Sequence, residues 1–490
     1  MNNVNKQNIL PRKVKISETL EFLGKAGAGL TYLRGRRRTG KSFILKQIQK
    51  DHMKHCFYFS GSKDEDHALC LKRFIQNWED FSKEQQLSSI KDNLINWNVV
   101  FKTILSFAVQ KKTWLFFDEI QWIAKINSGF LGALKEIWSD LEQKTNIKII
   151  LCGSSKKFFL DSSGGEEKIL RGLKTRADIL VGPFTPYEIK KNYAHKWSDA
   201  EIAFLYMITG GVPYYINQIN FDQSLLKAIN TAFFTNEGIF LNEPEEILNL
   251  EFNRKGLPTV FKIFSTIGPT GRYMEDIVKL SRLPASTVSE AIEKLVQYEL
   301  IKEEVNFDER IKLKRKKMKL FINDFFLQFY FSLMHKKKNL ISKNQNLNIF
   351  KDLCESTNSD LIQIKNFSGV MFENFLNSIL THAPLGHPIY KELNITDYDF
   401  RIIQLGPYDL VLKISSEKTL KLIECKFTGN QTQLVAGLEQ LIMAPTRFKE
   451  FVIEKYLFTN LKATASTVTK AKNAAIKIVS LSTAFAKWES

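Results

Sequence analysis

Residues 30–42 read Leu-Thr-Tyr-Leu-Arg-Gly-Arg-Arg-Arg-Thr-Gly-Lys-Ser, and the order of residue types in them decides the fold of this part of the chain. Leu30-Thr31-Tyr32-Leu33 is a short apolar strand. The next eight positions after Arg34 follow the pattern G-x-x-x-x-G-K-[ST], and the residues from Ser42 to about 50 continue as a helix. A glycine turn between a strand and a helix lets backbone wrap phosphate groups, with amide N–H groups and the helix N-terminus facing the negative charge. The pattern therefore predicts a phosphate-binding loop. In it Lys41 reaches the β- and γ-phosphates of ATP, the Ser42 hydroxyl ligates Mg²⁺, and Gly35, Arg36, Arg37, Arg38, Thr39 and Gly40 complete the cradle. The three arginines admit three readings: countering phosphates, binding DNA, or standing in solvent.

Further along the chain, Cys56-Phe57-Tyr58-Phe59, Trp114-Leu115-Phe116-Phe117 and Ile147-Lys148-Ile149-Ile150-Leu151-Cys152 are short continuous apolar runs separated by helical patterns. Ile179-Leu180-Val181 is a further one. Such runs imply a parallel sheet covered on both faces, an α/β architecture. Asp118-Glu119 then falls at the C-terminal tip of a core strand, the edge at which such sheets bind ligands. Asp118 is expected to hold Mg²⁺ through water, and Glu119 to orient and deprotonate the attacking water. The competing reading is a helix N-cap at Asp118 with acid in the first turn. Ser154 and Ser155 follow the fourth strand and are candidates for contacting the γ-phosphate, or for ordinary turn chemistry. Arg171 and Arg176 lie in the next loop as candidate charge-stabilising fingers, Arg176 the better placed, with a solvated arginine as the alternative.

The remaining chain divides by pattern. Residues 186–250 are helical, punctuated by Gly210-Gly211-Val212-Pro213. Three helical stretches at 257–267, 273–280 and 285–298 precede two strand-like runs near 301–307 and 318–322, the order of a winged helix. Ser286, Thr287, Ser289 and Glu290 stand near the start of its third helix, and seven of the ten residues 310–319 are basic. That density at a wing tip suits DNA phosphates, against the alternatives of a protein-docking module or a solvated lysine run. Residues 336–365 are rich in Lys, Asn and Ser and read as a linker. A second α/β segment occupies 366–490.

In that last segment Gly406-Pro407-Tyr408-Asp409 precedes Glu424-Cys425-Lys426, with Asp409 fifteen positions before Glu424. The pattern is P-x-D … E-x-K on adjacent strands. Lys426, two residues beyond Glu424, shares its face because strands have period two. Two carboxylates that bind Mg²⁺ generate a hydroxide nucleophile, and the lysine positions water or charge. Glu373 on the preceding helix is a candidate further ligand, and Gln440 a candidate contact. A surface strand pair with a Glu–Lys interaction is the bland alternative, which the apolar flanks Leu410-Val411-Leu412 and Leu422-Ile423 oppose.

Composition bounds the rest. The 490 residues are 44% hydrophobic and 25% charged, as in soluble globular proteins of two to four domains. No apolar run has the ~20 residues needed to span a bilayer, so no membrane partner is expected. The five cysteines form neither a disulfide framework nor a zinc site, which fits a reducing interior and a cytoplasmic location. A net charge of +18 favours polyanionic partners such as nucleic acid over a merely lysine-rich surface.

Taken in order, the chain resembles the archaeal-type ATPase family, a P-loop branch near the AAA+ and STAND ATPases. The residues that carry the resemblance are the glycine loop 35–42, Phe117-Asp118-Glu119-Ile120-Gln121, Cys152-Gly153-Ser154-Ser155, Thr175-Arg176-Ala177, Gly182-Pro183-Phe184, Gly210-Gly211-Val212-Pro213 and Ile322-Asn323-Asp324-Phe325-Phe326. The chain departs from the family in lacking an aromatic-glycine-arginine start, and in reading Thr-Arg at 175–176 where Gly-Arg is usual. The resemblance implies an N-terminal segment (1–24), a P-loop ATPase core (25–185), a helical lid (186–250), a winged helix (251–335), a linker (336–365) and a PD-(D/E)xK restriction-endonuclease-like domain (366–490). It implies ATP and Mg²⁺ as cofactors and double-stranded DNA as partner, with homo-oligomerisation left open. The activity it implies is ATP hydrolysis coupled to DNA binding, with a metal-dependent nuclease tail using Asp409, Glu424 and Lys426. The alternative is an ATP-driven assembly switch whose tail binds without cutting.

Overall fold

A computed structural model describes residues 12–84, 88, 95–124, 129–154, 177–193, 196–236, 238, 240–252, 255–304, 318–343, 348–355, 359–397, 399–403, 405, 408–414, 416–448 and 451–488. It divides into two compact units, Ile9–Pro183 and Phe184–Glu489.

The first unit is built on five strands: β1 (Gly29–Arg34), β2 (Cys56–Ser60), β3 (Trp114–Asp118), β4 (Lys148–Gly153) and β5 (Ala177–Leu180). All pair in parallel, in the order β2-β3-β4-β1-β5. The expected parallel α/β sheet is therefore present. One strand, β4, separates the strand feeding the glycine loop from the strand ending in Asp118.

The apolar runs are continuous because both faces are covered. On β3, Leu115 and Phe117 enter one core with Phe57, Phe74, Trp97 and Phe130, while Trp114 and Phe116 enter the other with Phe22, Ile44 and Ile150. The first core is aromatic, with Phe74 edge-on to Phe57, Phe59 and Trp97 at ring separations of 5.0–5.2 Å. Edge-to-face rings at such distances add about 1 kcal/mol per pair beyond burial alone. Helix Lys41–Asp51 buries Ile44, Leu45 and Ile48, a 3.6-period stripe that fixes its roll against the sheet. Helix Trp97–Gln110 starts where the Asn96 side chain accepts from the amides of Asn98 and Val99.

The second unit begins with helices. Pro186–Asn192 and Asp199–Thr209 both open on capping boxes, Thr185 with Glu188 and Ser198 with Glu201. Three helices, Leu257–Ile267, Met274–Ser281 and Ala285–Gln297, accompany a three-stranded antiparallel sheet of β6 (Arg272–Tyr273), β7 (Ile301–Glu304) and β8 (Lys319–Ile322), in the order β6-β8-β7.

The stretch 336–365 is not an open linker. It carries helices Lys338–Lys343 and Ile349–Glu355, and helix Ser359–His382 starts inside it. Ile341, Ile349, Phe350 and Leu353 are buried, and Phe350 stacks on Phe234 at 5.4 Å.

A six-stranded mixed sheet closes the chain. Its strands are β9 (Phe400–Ile403), β10 (Leu410–Ile414), β11 (Thr419–Lys426), β12 (Arg447–Phe448), β13 (Phe451–Thr459) and β14 (Ile476–Ser480). β10 and β11 are antiparallel neighbours, and β11 and β13 run parallel. Leu420 and Leu422 of β11 pack with Leu434, Leu438 and Leu441 of helix Gln431–Met443. Phe372 of helix Ser359–His382 stacks on Phe458 of β13 at 4.9 Å. Among the described residues, no helix is long and apolar enough to cross a membrane.

Candidate functional site

The glycine loop stands between β1 and helix Lys41–Asp51, as its spacing predicts. Gly35 has φ +155°, and a Cβ there would lie 2.2 Å from the Val181 carbonyl oxygen, so only glycine fits this approach. Arg38 and Gly40 both hold left-handed backbone, φ 67° and 92°. Thr39 closes the turn by donating its hydroxyl to the Arg36 carbonyl at 2.8 Å.

Lys41 is 5% exposed and donates to the carbonyls of Gly35 (2.8 Å) and Arg36 (2.6 Å). Burial holds its pKa below the usual lysine value, while Cys152, Glu119 and Asp118 favour the charged form. Those interactions put the loop lysine within electrostatic reach of both carboxylates that end β3.

Asp118 is buried, and both its oxygens accept a hydrogen bond. The Tyr58 hydroxyl donates to Oδ2 at 2.7 Å, and the Glu119 amide to Oδ1 at 3.0 Å. Register explains the tyrosine, since Tyr58 and Phe116 are partners on β2 and β3. Glu119 sits at φ 49°, ψ 47°, a left-handed position that a non-glycine residue rarely takes. Its Oε2 accepts from Gln121 Nε2. Ser154 follows β4, and its Oγ is buried with no hydrogen-bond partner among the described residues. Ser155, Arg171 and Arg176 lie outside the described residues.

Arg12 is a component that motif reading missed. It is 3% exposed and donates to the carbonyls of Thr39 (2.8 Å) and Gly182 (2.6 Å). Tyr58 was missed in the same way, and Gln121 was named only among the residues that carry the family resemblance, with no role given to it. Arg12 and Tyr58 lie in no spacing rule, and both act through contacts that only the folded sheet creates.

The second cluster lies in the other unit, at the start of β10 and the end of β11. Lys426 Nζ contacts Glu424 Oε1 and lies 3.9 Å from Asp409 Oδ2. Asp409 Oδ2 accepts from the Cys425 amide at 2.8 Å, and Gln440 donates to Glu424 Oε2 at 3.0 Å. The structure therefore brings Asp409, Glu424, Lys426 and Gln440 together. Glu373 is near enough that, after burial, Asp409 and Glu424 are the main causes pushing its pKa well above the carboxylate range. Burial and then Asp409 raise Glu424 to about 7. Burial also raises Asp409, against the opposing Cys425 amide and Lys426. Among the described residues, no group of three His, Cys, Asp or Glu side chains stands at metal-binding distance. Pro407 and the basic stretch 310–317 lie outside the described residues.

Residues 28–188 match the family model described as AAA domain. No curated protein matches the sequence. Among solved structures, the chain is similar to the Walker-type ATPase of Pyrococcus abyssi at 18% identity and TM-score 0.45, covering 68% of this chain and 98% of that one. It is similar to Cdc6p from Pyrobaculum aerophilum at 11% identity and TM-score 0.34, covering 71% and 95%. It is similar to the Thermotoga maritima RuvB Holliday junction branch migration motor at 18% identity and TM-score 0.31, covering 69% and 95%. The first unit has the site geometry described above and the AAA-domain match over residues 28–188. Together these support a P-loop ATPase.

Proposed function

We propose that this chain binds and hydrolyses ATP with Mg²⁺ and applies the nucleotide cycle to DNA, through a winged-helix segment (251–335) and a restriction-endonuclease-like segment (366–490). The observation that carries the ATPase part is Lys41, buried beneath the glycine loop with Asp118 and Glu119 in electrostatic reach. The residues fit the nucleotide. Ser154 Oγ is a buried hydroxyl without a partner among the described residues at the same sheet edge, and a phosphate oxygen would satisfy it. Ser42 and Asp118 supply the hard oxygen donors that Mg²⁺ takes, and the ion when bound neutralises charge developing on the phosphates. Lys41 holds the β- and γ-phosphates, and Glu119 takes the proton of the attacking water.

DNA as partner is supported by the net charge of +18 and by the basic run 310–319 beyond a candidate recognition helix, Ala285–Gln297. For the tail, Asp409 and Glu424 would take the metal, with Lys426 beside the water. One observation favours a second reading, in which the tail binds without cutting. Lys426 contacts Glu424 and lies 3.9 Å from Asp409, where a metal ion would otherwise sit.

The test measures ATP turnover and DNA cleavage on the full chain. Lys41→Ala should weaken nucleotide binding, and Glu119→Gln should keep binding while stopping turnover. Wild-type protein that binds ATP yet never hydrolyses it, with or without DNA, sinks the ATPase. Cleavage with Mg²⁺ or Mn²⁺ that disappears in Asp409→Ala and Lys426→Ala supports a nuclease, and intact DNA throughout selects the binding tail.

A further inference from the structure

A carboxylate that activates water must present one oxygen in a fixed direction, and something must hold the other. Glu119 has such a holder. Gln121, two residues on in helix Ile120–Ile123, donates Nε2–H to Glu119 Oε2 and leaves Oε1 of the carboxylate for other work. The other end of the same amide is unsatisfied: Gln121 Oε1 is buried and accepts no hydrogen bond among the described residues. A buried acceptor left orphaned calls for an explanation, and at a sheet edge that binds ligands a water or ligand atom supplies one. A second orphan, Ser154 Oγ, stands just past the end of the neighbouring strand β4.

We propose that Gln121 is a water-positioning residue for the hydrolytic step, a reading that rests on the ATPase function above. The attacking water has two hydrogens, and two acceptors face it. Glu119 Oε1 takes one, and Gln121 Oε1 takes the other while its Nε2–H keeps the Glu119 carboxylate from turning. In the step itself, the water proton passes to Glu119 and the water oxygen bonds to the γ-phosphorus. The bond from that phosphorus to the β,γ-bridging oxygen breaks, and its electron pair leaves on ADP. The second hydrogen stays on the product phosphate, so Gln121 gains and loses nothing.

The left-handed backbone of Glu119 gives the same direction. At φ 49° the chain turns sharply after β3, and the turn lets residue 121 reach back to residue 119.

The experiment compares steady-state hydrolysis and ATP binding in wild type, Gln121→Met, Gln121→Glu, Glu119→Gln and the double variant Gln121→Met/Glu119→Gln. Gln121→Met keeps volume and loses both hydrogen-bonding ends. Its kcat should fall roughly 10–100-fold, with ATP Kd within about twofold of wild type. Gln121→Glu retains an acceptor for water but not the donor, and should recover part of the loss. In the double variant, Gln121→Met should add no further loss to Glu119→Gln, because it acts through the same water. Equal kcat in wild type and Gln121→Met, a fall in kcat matched by lost ATP binding, or a faster Gln121→Met enzyme would each overturn the inference while leaving the ATPase intact. Wild-type protein that binds but does not hydrolyse ATP would overturn both.

Discussion

Arg12 and Thr39 are 27 residues apart in sequence, and the Arg12 guanidinium donates to the Thr39 carbonyl at 2.8 Å. The same side chain donates to Gly182 at 2.6 Å. One buried cation thus ties the glycine loop to the segment that leaves β5. Gly35 also lies close against that segment, at the Val181 carbonyl. The loop is held in shape by its own unit, before any phosphate arrives to hold it.

Arg12→Ala should therefore destabilise the first unit by about 3 kcal/mol, since two charge-assisted hydrogen bonds are lost and two carbonyls are left in poor surroundings. ATP affinity should fall with it. Arg12→Lys should recover less than half, because a point charge on a flexible stem cannot replace a planar fork serving two carbonyls. Urea denaturation and nucleotide titration give both readings, and an unchanged midpoint in Arg12→Ala would dismiss the clamp.

The two glycines of the loop should respond differently. Gly35→Ala puts a methyl 2.2 Å from a backbone oxygen, so the loop or β5 must move. Gly40→Ala meets nothing nearer than 3.7 Å, and its difficulty is only φ 92°. We expect Gly40→Ala to cost about 1 kcal/mol, and Gly35→Ala more than twice that with loss of ATP binding. Similar melting curves for the two variants would contradict the steric account.

The strand, glycine loop and acidic strand tip were legible because each is local: a spacing rule, an apolar run and a carboxylate pair lie within a few residues. The partners of that site were not. Arg12 meets Thr39 and Gly182, and Tyr58 meets Asp118, only once the order β2-β3-β4-β1-β5 brings distant segments together. Residues 336–365 misled for a different reason. Their Lys, Asn and Ser dominate composition, while Ile341, Ile349, Phe350 and Leu353 suffice to bury the inner sides of two short helices. Asp409, Glu424 and Lys426 were legible as a group from period two and the flanking apolar strands. The contact of Lys426 with both carboxylates was not, because it depends on the pairing that sets the start of β10 beside the end of β11.

Tyr58→Phe tests how Asp118 is held. The hydroxyl donates to Oδ2 at 2.7 Å, and its loss frees one oxygen of a buried carboxylate. Stability should drop by about 1–2 kcal/mol. With Asp118 no longer fixed, half-saturation by Mg²⁺ in the ATPase assay should rise several-fold while kcat at saturating Mg²⁺ changes little. A variant with an unchanged Mg²⁺ requirement would leave Tyr58 a packing residue only.

Glu424 makes the tail sensitive to pH in a direction opposite to that of most carboxylates. The side chain is 1% exposed, and burial followed by the neighbouring Asp409 charge raises its pKa from 4.5 to about 7. Lys426 pulls the other way. Although burial opposes its charge, its hydrogen bond to Glu424 keeps it more firmly cationic than usual. The two shifts cannot both be satisfied by a simple ion pair, and burial is the larger cause for Glu424, so the upward shift decides the prediction. A carboxyl whose folded pKa exceeds its unfolded pKa binds protons more tightly when folded. Its contribution is complete below about pH 4.5 and is lost as pH rises to about 7, on the order of 3 kcal/mol in all. Glu424→Gln is neutral at every pH and should flatten the stability curve in that window, ending more stable than wild type at pH 8. If Asp409 and Glu424 also take Mg²⁺, the ion replaces the proton. Added Mg²⁺ should then raise the wild-type Tm more at pH 8 than at pH 6, and this increment should vanish in Glu424→Gln. A wild-type stability that climbs between pH 5 and 7, with Glu424→Gln following the same curve, would mean that Glu424 is charged in the folded protein and that Lys426, not burial, governs the cluster.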